Sequence, residues 1–196
     1  VWNGFRSSVK YTYLLKDIHK KETNLLGNLS SNTRKNIKKA EKTLEVFESA
    51  DLTKLYELIE LTFKRQSLKV PYSKEVLHNL FKTCQSKGLS KVLMAKDSAG
   101  NIHSGILLIW NEKTVYYLVG GSDPRYRKSE AMTLIMWESV KFASSFAQEF
   151  DFEGTMVESI ERFIRGFGAT QHPYFQISKV KPSFLKPLLE KKYNLS

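Results

Sequence analysis

Apolar positions along the chain change their spacing several times, and each change marks an element. "KYTYLLKD", Lys10 to Asp17, alternates as a strand does, and a short polar helix is expected around Lys20 to Asn28. In "LSSNTRKNIKKAEKTL", Ser30, Ser31 or Asn32 caps a helix running to Leu44. Its apolar stripe is Ile37, Ala40 and Leu44, and its other side is a basic face of Arg34, Lys35, Lys38, Lys39 and Lys42. "LEVFES" reads as a strand, and "ADLTKLYELIELTFKRQS" as a helix with Leu55, Leu58, Ile59, Thr62 and Phe63 at i, i+3, i+4 spacing. "SKEVLHNLFKTCQSKG" predicts a further helix, started by Ser73 and stopped by Gly88.

From Ser90 the period becomes two. "SKVLMAK", "NIHSGILLIW" and "TVYYLVGG" are separated by the turns "DSAGN" and "NEK", the pattern of an antiparallel meander. "SEAMTLIMWESVKFASSFA" is apolar on most sides and therefore expected to lie buried against the sheet. A strand "EFDFEG", a helix "VESIERFIRGF" closed by Gly168, a strand "YFQISKV" and a terminal helix after Pro182 complete the order. The class is α/β with a mixed sheet.

Composition narrows the setting. With 196 residues, 41% of them apolar, the chain suits one domain or at most two small ones. The longest apolar candidate, "GILLIW", is far too short to cross a bilayer, and "VWNGFRSSVK" carries no secretory h-region. The single cysteine, Cys84, excludes an internal disulfide, fits a reducing cytosol and reads as a small buried apolar residue. Four scattered histidines predict no metal site. The formal charge of +11 and the pI near 9.6 favour anionic partners: phosphates, nucleotides, RNA or acidic lipid.

Two acids stand out against that basic background. In "FDFEG", Asp151 and Glu153 share one strand face, with Phe150 and Phe152 on the other. Carboxylates roughly 7 Å apart raise one another's pKa where water is scarce, so one can accept a proton from an amine or hold an ammonium group. They can equally pair with surrounding lysines and arginines, or Glu153 or Thr155 can cap the next helix.

The order of elements resembles the GNAT acyltransferase fold, a mixed and mostly antiparallel central sheet flanked by helices. "SSNTRKNIKKAEK", "GGSDPRYRKSEAMTLIMWESVKFA" and "FDFEGTMVESIERFIRGFGATQHPYFQISK" resemble its Fem-like branch, which includes the peptidoglycan aminoacyltransferases. Members usually carry another GNAT-like half upstream. The resemblance therefore implies a domain over residues 44–196, with residues 1–43 as the junction to an upstream half. The leucyl/phenylalanyl-tRNA–protein transferases are more distantly similar: Asp151, Glu153, Gly168 and Ala169 match their layout, with Glu153 where that family has Gln.

What the resemblance implies is a donor phosphate site between the last meander strand and the following helix. Gly120 and Gly121 would let backbone approach a ligand, Ser129 would open the helix, and Arg125, Arg127 and Lys128 would add charge. Ser129 and Ala131 stand where a Gly-x-Gly pair belongs in the coenzyme A signature. By their place in the sequence, Tyr126 or Tyr174 either pack at core or rim or serve a leaving group as general acid; the basic face with Arg34 and Lys38 is either simply solvated or, as the resemblance implies, meets a phosphate-rich substrate, tRNA or a nucleotide-linked cell-wall precursor. The implied activity is transfer of an acyl or aminoacyl group from acyl-coenzyme A or aminoacyl-tRNA to an amine, in the cytoplasm and without metal. The alternative is a non-catalytic basic module of the same fold that binds RNA or another polyanion.

Overall fold

The computed structural model describes residues 5–20, 24–154 and 158–179. Its strands are β1 (Arg6–Leu15), β2 (Leu44–Ser49), β3 (Ser90–Asp97), β4 (Ile102–Trp110), β5 (Thr114–Ser122), β6 (Glu149–Asp151) and β7 (Thr170–Ser178). The helices are α1 (Leu25–Asn28), α2 (Ser31–Ala40), α3 (Leu52–Arg65), α4 (Lys74–Gln85), α5 (Ala131–Ser144) and α6 (Glu158–Arg165), with a 3-10 turn over Pro124–Ser129. The α/β class and the mostly antiparallel sheet agree with the sequence reading. All seven strands form one sheet in the order β2-β3-β4-β5-β6-β1-β7, and only β5 with β6 is parallel.

Sequence chemistry explains the boundaries. Ser30 and Ser73 accept from backbone N–H groups three residues on, at Thr33 and Val76, and so start α2 and α4. Helix α2 stops at Ala40, short of the expected Leu44, because Leu44 pairs with Asp97 as the first residue of β2. Gly88 takes φ +68 behind α4, and Gly168 takes φ +86 behind α6, as helix stops. β7 begins four residues earlier than "YFQISKV" suggested, since it follows β1 from Leu14↔Thr170 to Arg6↔Ser178. Pro173 is tolerated there because β7 is an edge strand and one side of it carries no ladder. The expected helix after Pro182 lies outside the described residues.

β1 runs between β6 and β7, and Ile37 and Ala40 of α2 join the same core as α5. Residues on both sides of position 43 therefore share one sheet. Cys84, expected to be buried, is only half-buried.

Two hydrophobic layers clamp the sheet. On one face α5 buries Leu134, Ile135, Met136, Trp137 and Val140 against Leu93, Ile106, Leu108, Val115 and Phe150. On the other, Leu52, Leu55 and Ile59 of α3 and Leu77 and Phe81 of α4 meet Val92, Met94 and Leu107. Full burial of a leucine or isoleucine stabilises by about 1.5–3 kcal/mol, so these layers dominate the balance.

Glycines set how close α3 comes. A Cβ added at Gly121 would lie 2.2 Å from the carbonyl carbon of Leu58 and 2.4 Å from the nitrogen of Ile59, so helix backbone rests directly on strand backbone. Thr62 fixes the same contact, its Oγ1 accepting from the Ser122 N–H at 2.9 Å. At Gly120 the space above Cα is filled by Ile106 and the Tyr117 hydroxyl. Packing within the fold therefore accounts for both glycines, which the sequence reading reserved for a ligand. We predict that Gly121→Ala lowers the free energy of unfolding by about 1–3 kcal/mol or more, because α3 must lift off β5. Chemical denaturation checks this; unchanged stability would mean that the contact is not required.

Candidate active site

The site begins where β5 and β6 part. They are paired only at Thr114↔Glu149, Val115↔Phe150 and Tyr116↔Asp151. β6 ends there, whereas β5 continues to Ser122. Past Tyr116 one edge of β5 thus has no strand beside it among the described residues. The free stretch to Ser122 is six residue steps, about 20 Å at the rise of a strand.

At the lower end of that edge stand the acids. The strand stops at Asp151 because its side chain turns the chain: Oδ1 accepts from the Glu153 N–H at 2.8 Å, and Glu153 adopts φ 63. Asp151 and Glu153 therefore do not share a strand face as alternation predicted. The residue that shares a face with Asp151 is Glu149, two positions earlier.

Register places further groups on that face. Thr12 donates to Asp151 Oδ1 from the neighbouring strand, and His172 lies opposite Thr12 on β7. His172 Nε2 is 3.1 Å from Thr170 Oγ1, which donates to the Leu14 carbonyl. That hydroxyl has one proton, so Nε2 of the imidazole is the donor to it, leaving Nδ1 as the ring's other functional nitrogen. α3 and α4 cover β3 to β5, while Thr12, Glu149, Asp151 and His172 remain half-buried at the open part of the sheet. Tyr174 also belongs here, with its hydroxyl 3.5 Å from where a Cβ on Gly154 would sit.

Burial pushes the pKa of Asp151 up, with Glu149 adding to the rise; Thr12, the Glu153 N–H and His172 pull against it without reversing it. Glu153 is raised as well, first by burial and then by Asp151. On this strand end both carboxylates are thus more basic than exposed ones. Burial likewise pushes Tyr117, at the start of the free edge, up to about 12.

At the upper end is the turn from Asp123 to Glu130. Asp123 is buried and accepts three bonds from the Arg125 guanidinium, at 3.1, 3.1 and 2.7 Å. Arg125 is therefore engaged within the turn, whereas Arg127 and Lys128 are exposed. Tyr126 stacks on His103 with centroids 4.0 Å apart. Helix α5 starts two residues later than Ser129, after Glu130 at φ 62, and no side chain caps its first N–H groups. Ser129 Oγ is buried without a hydrogen-bond partner. Glu130 Oε2 accepts from Thr133 Oγ1 at 3.2 Å, which puts a carboxylate near that terminus.

Helix α2 adjoins this end. Lys39 Nζ donates to the Lys128 carbonyl at 2.7 Å, joining the basic face of α2, with Arg34 and Lys38 exposed, to the turn. The sequence-predicted residues thus fall into two groups: Asp151, Glu153 and Tyr174 below, and Arg125, Tyr126, Arg127, Lys128 and Ser129 above with Arg34 and Lys38 alongside. A surface hollow lined by Tyr56, Glu60, Phe63, Lys64, Leu68 and Val70 belongs to neither group. Among the described residues no cluster of His, Cys, Asp or Glu suits a metal ion, and no helix is long and apolar enough to cross a membrane.

A sheet that opens between a long meander strand and a short parallel neighbour, with an uncapped helix following the long strand, defines an acyltransferase-type fold. Residues 28–158 match the family model described as "Acetyltransferase (GNAT) domain", and the chain belongs to that family. Among solved structures, FemX superposes with a TM-score of 0.75 at 16% identity, over 96% of this chain and 68% of that one. L-PGS from Bacillus licheniformis gives 0.62 at 10% identity, over 98% and 67%. A tandem GNAT protein from the clavulanic acid biosynthesis pathway gives 0.57 at 9%, over 89% of this chain and 54% of that one. At these identities the likeness is one of fold, Fem-like GNAT, and this chain spans about two thirds of the first two. No curated protein sequence is significantly similar to it.

The raised carboxyl has a thermodynamic consequence. A carboxyl whose pKa is higher folded than unfolded binds its proton preferentially in the fold, so ionisation lowers stability as pH rises past the unfolded value of about 3.9. The full penalty is present above the folded value. Asp151→Asn keeps an Oδ1 acceptor for Thr12 and the Glu153 N–H while removing the charge. Its melting temperature at neutral pH is therefore expected to equal or exceed that of the wild type, with any gain shrinking toward about pH 4. A drop of several degrees at neutral pH would make Asp151 a structural carboxylate.

Proposed function

We propose that this domain is an N-acyltransferase that takes an acyl group from a phosphate-bearing donor and places it on an amine. The observation that carries this reading is the unpaired edge of β5, which joins an anion-favouring turn to two carboxylates of raised pKa. The donor lies along that edge, its phosphates toward Arg127, Lys128 and the uncapped N–H groups of α5. Its acyl carbon reaches the level of Asp151. A span of about 20 Å suits a donor with a long arm between diphosphate and reacting carbon, as in the pantetheine thioester of coenzyme A.

The acceptor reaches the site as an ammonium ion and is held by Asp151, Glu153 and Glu149. It must lose a proton before its nitrogen can attack. Asp151 Oδ2, which the two bonds to Oδ1 leave open, takes that proton. The nitrogen then forms a bond to the acyl carbon and the bond from that carbon to the donor's leaving sulfur or oxygen breaks; the nitrogen gives up its second proton to solvent as it becomes an amide, and the leaving group takes one up. Tyr174, whose hydroxyl lies beside Gly154, is the hydroxyl placed to supply it.

A second donor class is favoured by a separate observation. The exposed basic face of α2, tied to the turn through Lys39, extends the cationic surface beyond what a nucleotide needs, as expected for aminoacyl-tRNA. Thermal shift separates the two. Coenzyme A as donor product predicts saturable stabilisation, about 2.7 kcal/mol at a hundredfold excess over Kd. Aminoacyl-tRNA predicts binding of bulk tRNA that falls steeply with salt. With the preferred donor, Asp151→Asn is expected to cut kcat by roughly a hundredfold or more while leaving donor binding intact. No response to either ligand would overturn the enzymatic reading.

A further inference from the structure

The turn to which the proposed function assigns the donor phosphates is braced from the hairpin between β3 and β4. Asp97, at the end of β3, accepts from the N–H groups of Ala99 and Asn101 at 3.0 and 2.9 Å and from Asn101 Nδ2 at 2.9 Å. Those bonds to Asn101 first, and His103 with them, hold its carboxyl down at about 2. Across the hairpin, His103 is buried and its Nε2 lies 3.1 Å from Asp97 Oδ2, which fixes the plane of the imidazole. Tyr126 stacks on that plane at 4.0 Å with 4° between the rings. The backbone is tied at the same place, because the Asp123 N–H donates to the His103 carbonyl at 2.9 Å.

We infer that His103 and Tyr126 are positioning residues for the donor site. Through the Asp97 link they hold the turn in the shape that presents Arg127 and Lys128 to the ligand. The inference rests on the proposed donor site in that turn. Its physical content is preorganisation: a six-residue 3-10 turn has few internal bonds, and ordering it only when ligand arrives would subtract from affinity. The first half of the turn is spent on bracing, with Arg125 on Asp123 and Tyr126 on His103. The second half is left free for an anion. Burial of the His103 ring is costly, because its Nδ1 is buried without a hydrogen-bond partner among the described residues, and a solvent-exposed turn with no binding duty would not require that cost.

The test is calorimetric titration of the intact protein with coenzyme A, alongside melting temperatures. Tyr126→Phe keeps the stack and is expected to bind within about twofold of wild type. Tyr126→Ala and His103→Ala remove it and are expected to weaken coenzyme A by roughly five- to tenfold. In steady state the loss appears in the donor KM, with kcat little changed. His103→Phe, which stacks but cannot bond Asp97, is expected to fall between them. If wild type binds and Tyr126→Ala binds equally well with only a lower melting temperature, the stack is merely structural and the inference fails. If wild type itself shows no binding, the donor-site reading fails first and takes the inference with it. If His103→Ala does not fold, the Tyr126 pair alone decides.

Discussion

Parallel pairing between β5 and β6 ends after Tyr116↔Asp151, and the shape of the site depends on that ending. The cause is local. Asp151 bonds the N–H of Glu153 and turns the chain before another pair can form, while β5 continues beside β4 with a register shift between Tyr117 and Val119. An edge of unpaired backbone in a buried sheet would ordinarily be a liability. Here it lies between cationic groups at one end and carboxylates at the other.

The charges are sorted along that edge. Cations crowd the upper end, where Arg127 and Lys128 meet the face of α2, and carboxylates crowd the lower end, where Glu149, Asp151 and Glu153 sit on or beside β6. Two of the four non-glycine residues with positive φ among those described stand at the ends of that edge, Glu130 at the entry to α5 and Glu153 just beyond Asp151; Asp17 and Ser67 lie elsewhere. Such conformations cost about 1 kcal/mol or more and persist where surrounding structure enforces them, often at working sites. The rigid frame beneath is supplied by α3, whose backbone rests on Gly121, and by α5 on the opposite face.

Local pattern carried much of this into the sequence. The period-two runs of β3, β4 and β5 fall where alternation put them, as do the serine caps of α2 and α4 and the glycine behind α6. Most of the failures share one cause, which is pairing between distant residues. Leu44 fits the helical stripe of α2 but is claimed by β2 through Asp97. β7 gains its first residues from β1, more than 150 positions away, and nothing near Thr170 announces it. Alternation put Glu153 beside Asp151; an aspartate able to turn its own backbone was the available contrary signal. Thr12 and His172 could not be joined to Asp151 without the strand order β6-β1-β7. The brace from Asp97 to Tyr126 required knowing that His103 and Tyr126 lie over one another. Gly120 and Gly121 were legible as places of close approach, but only the position of α3 shows what approaches Gly121.

The central claim, that donor binds along the open edge of β5, is tested most directly by amide hydrogen exchange of the intact protein with and without saturating coenzyme A, and again with tRNA. The account predicts slowed exchange at outward-facing amides between Tyr117 and Ser122 and at Ala131 to Thr133, the first N–H groups of α5, with the far strands β2 and β3 unchanged. Protection confined to the hollow along α3, or binding without any slowing on β5, would contradict it.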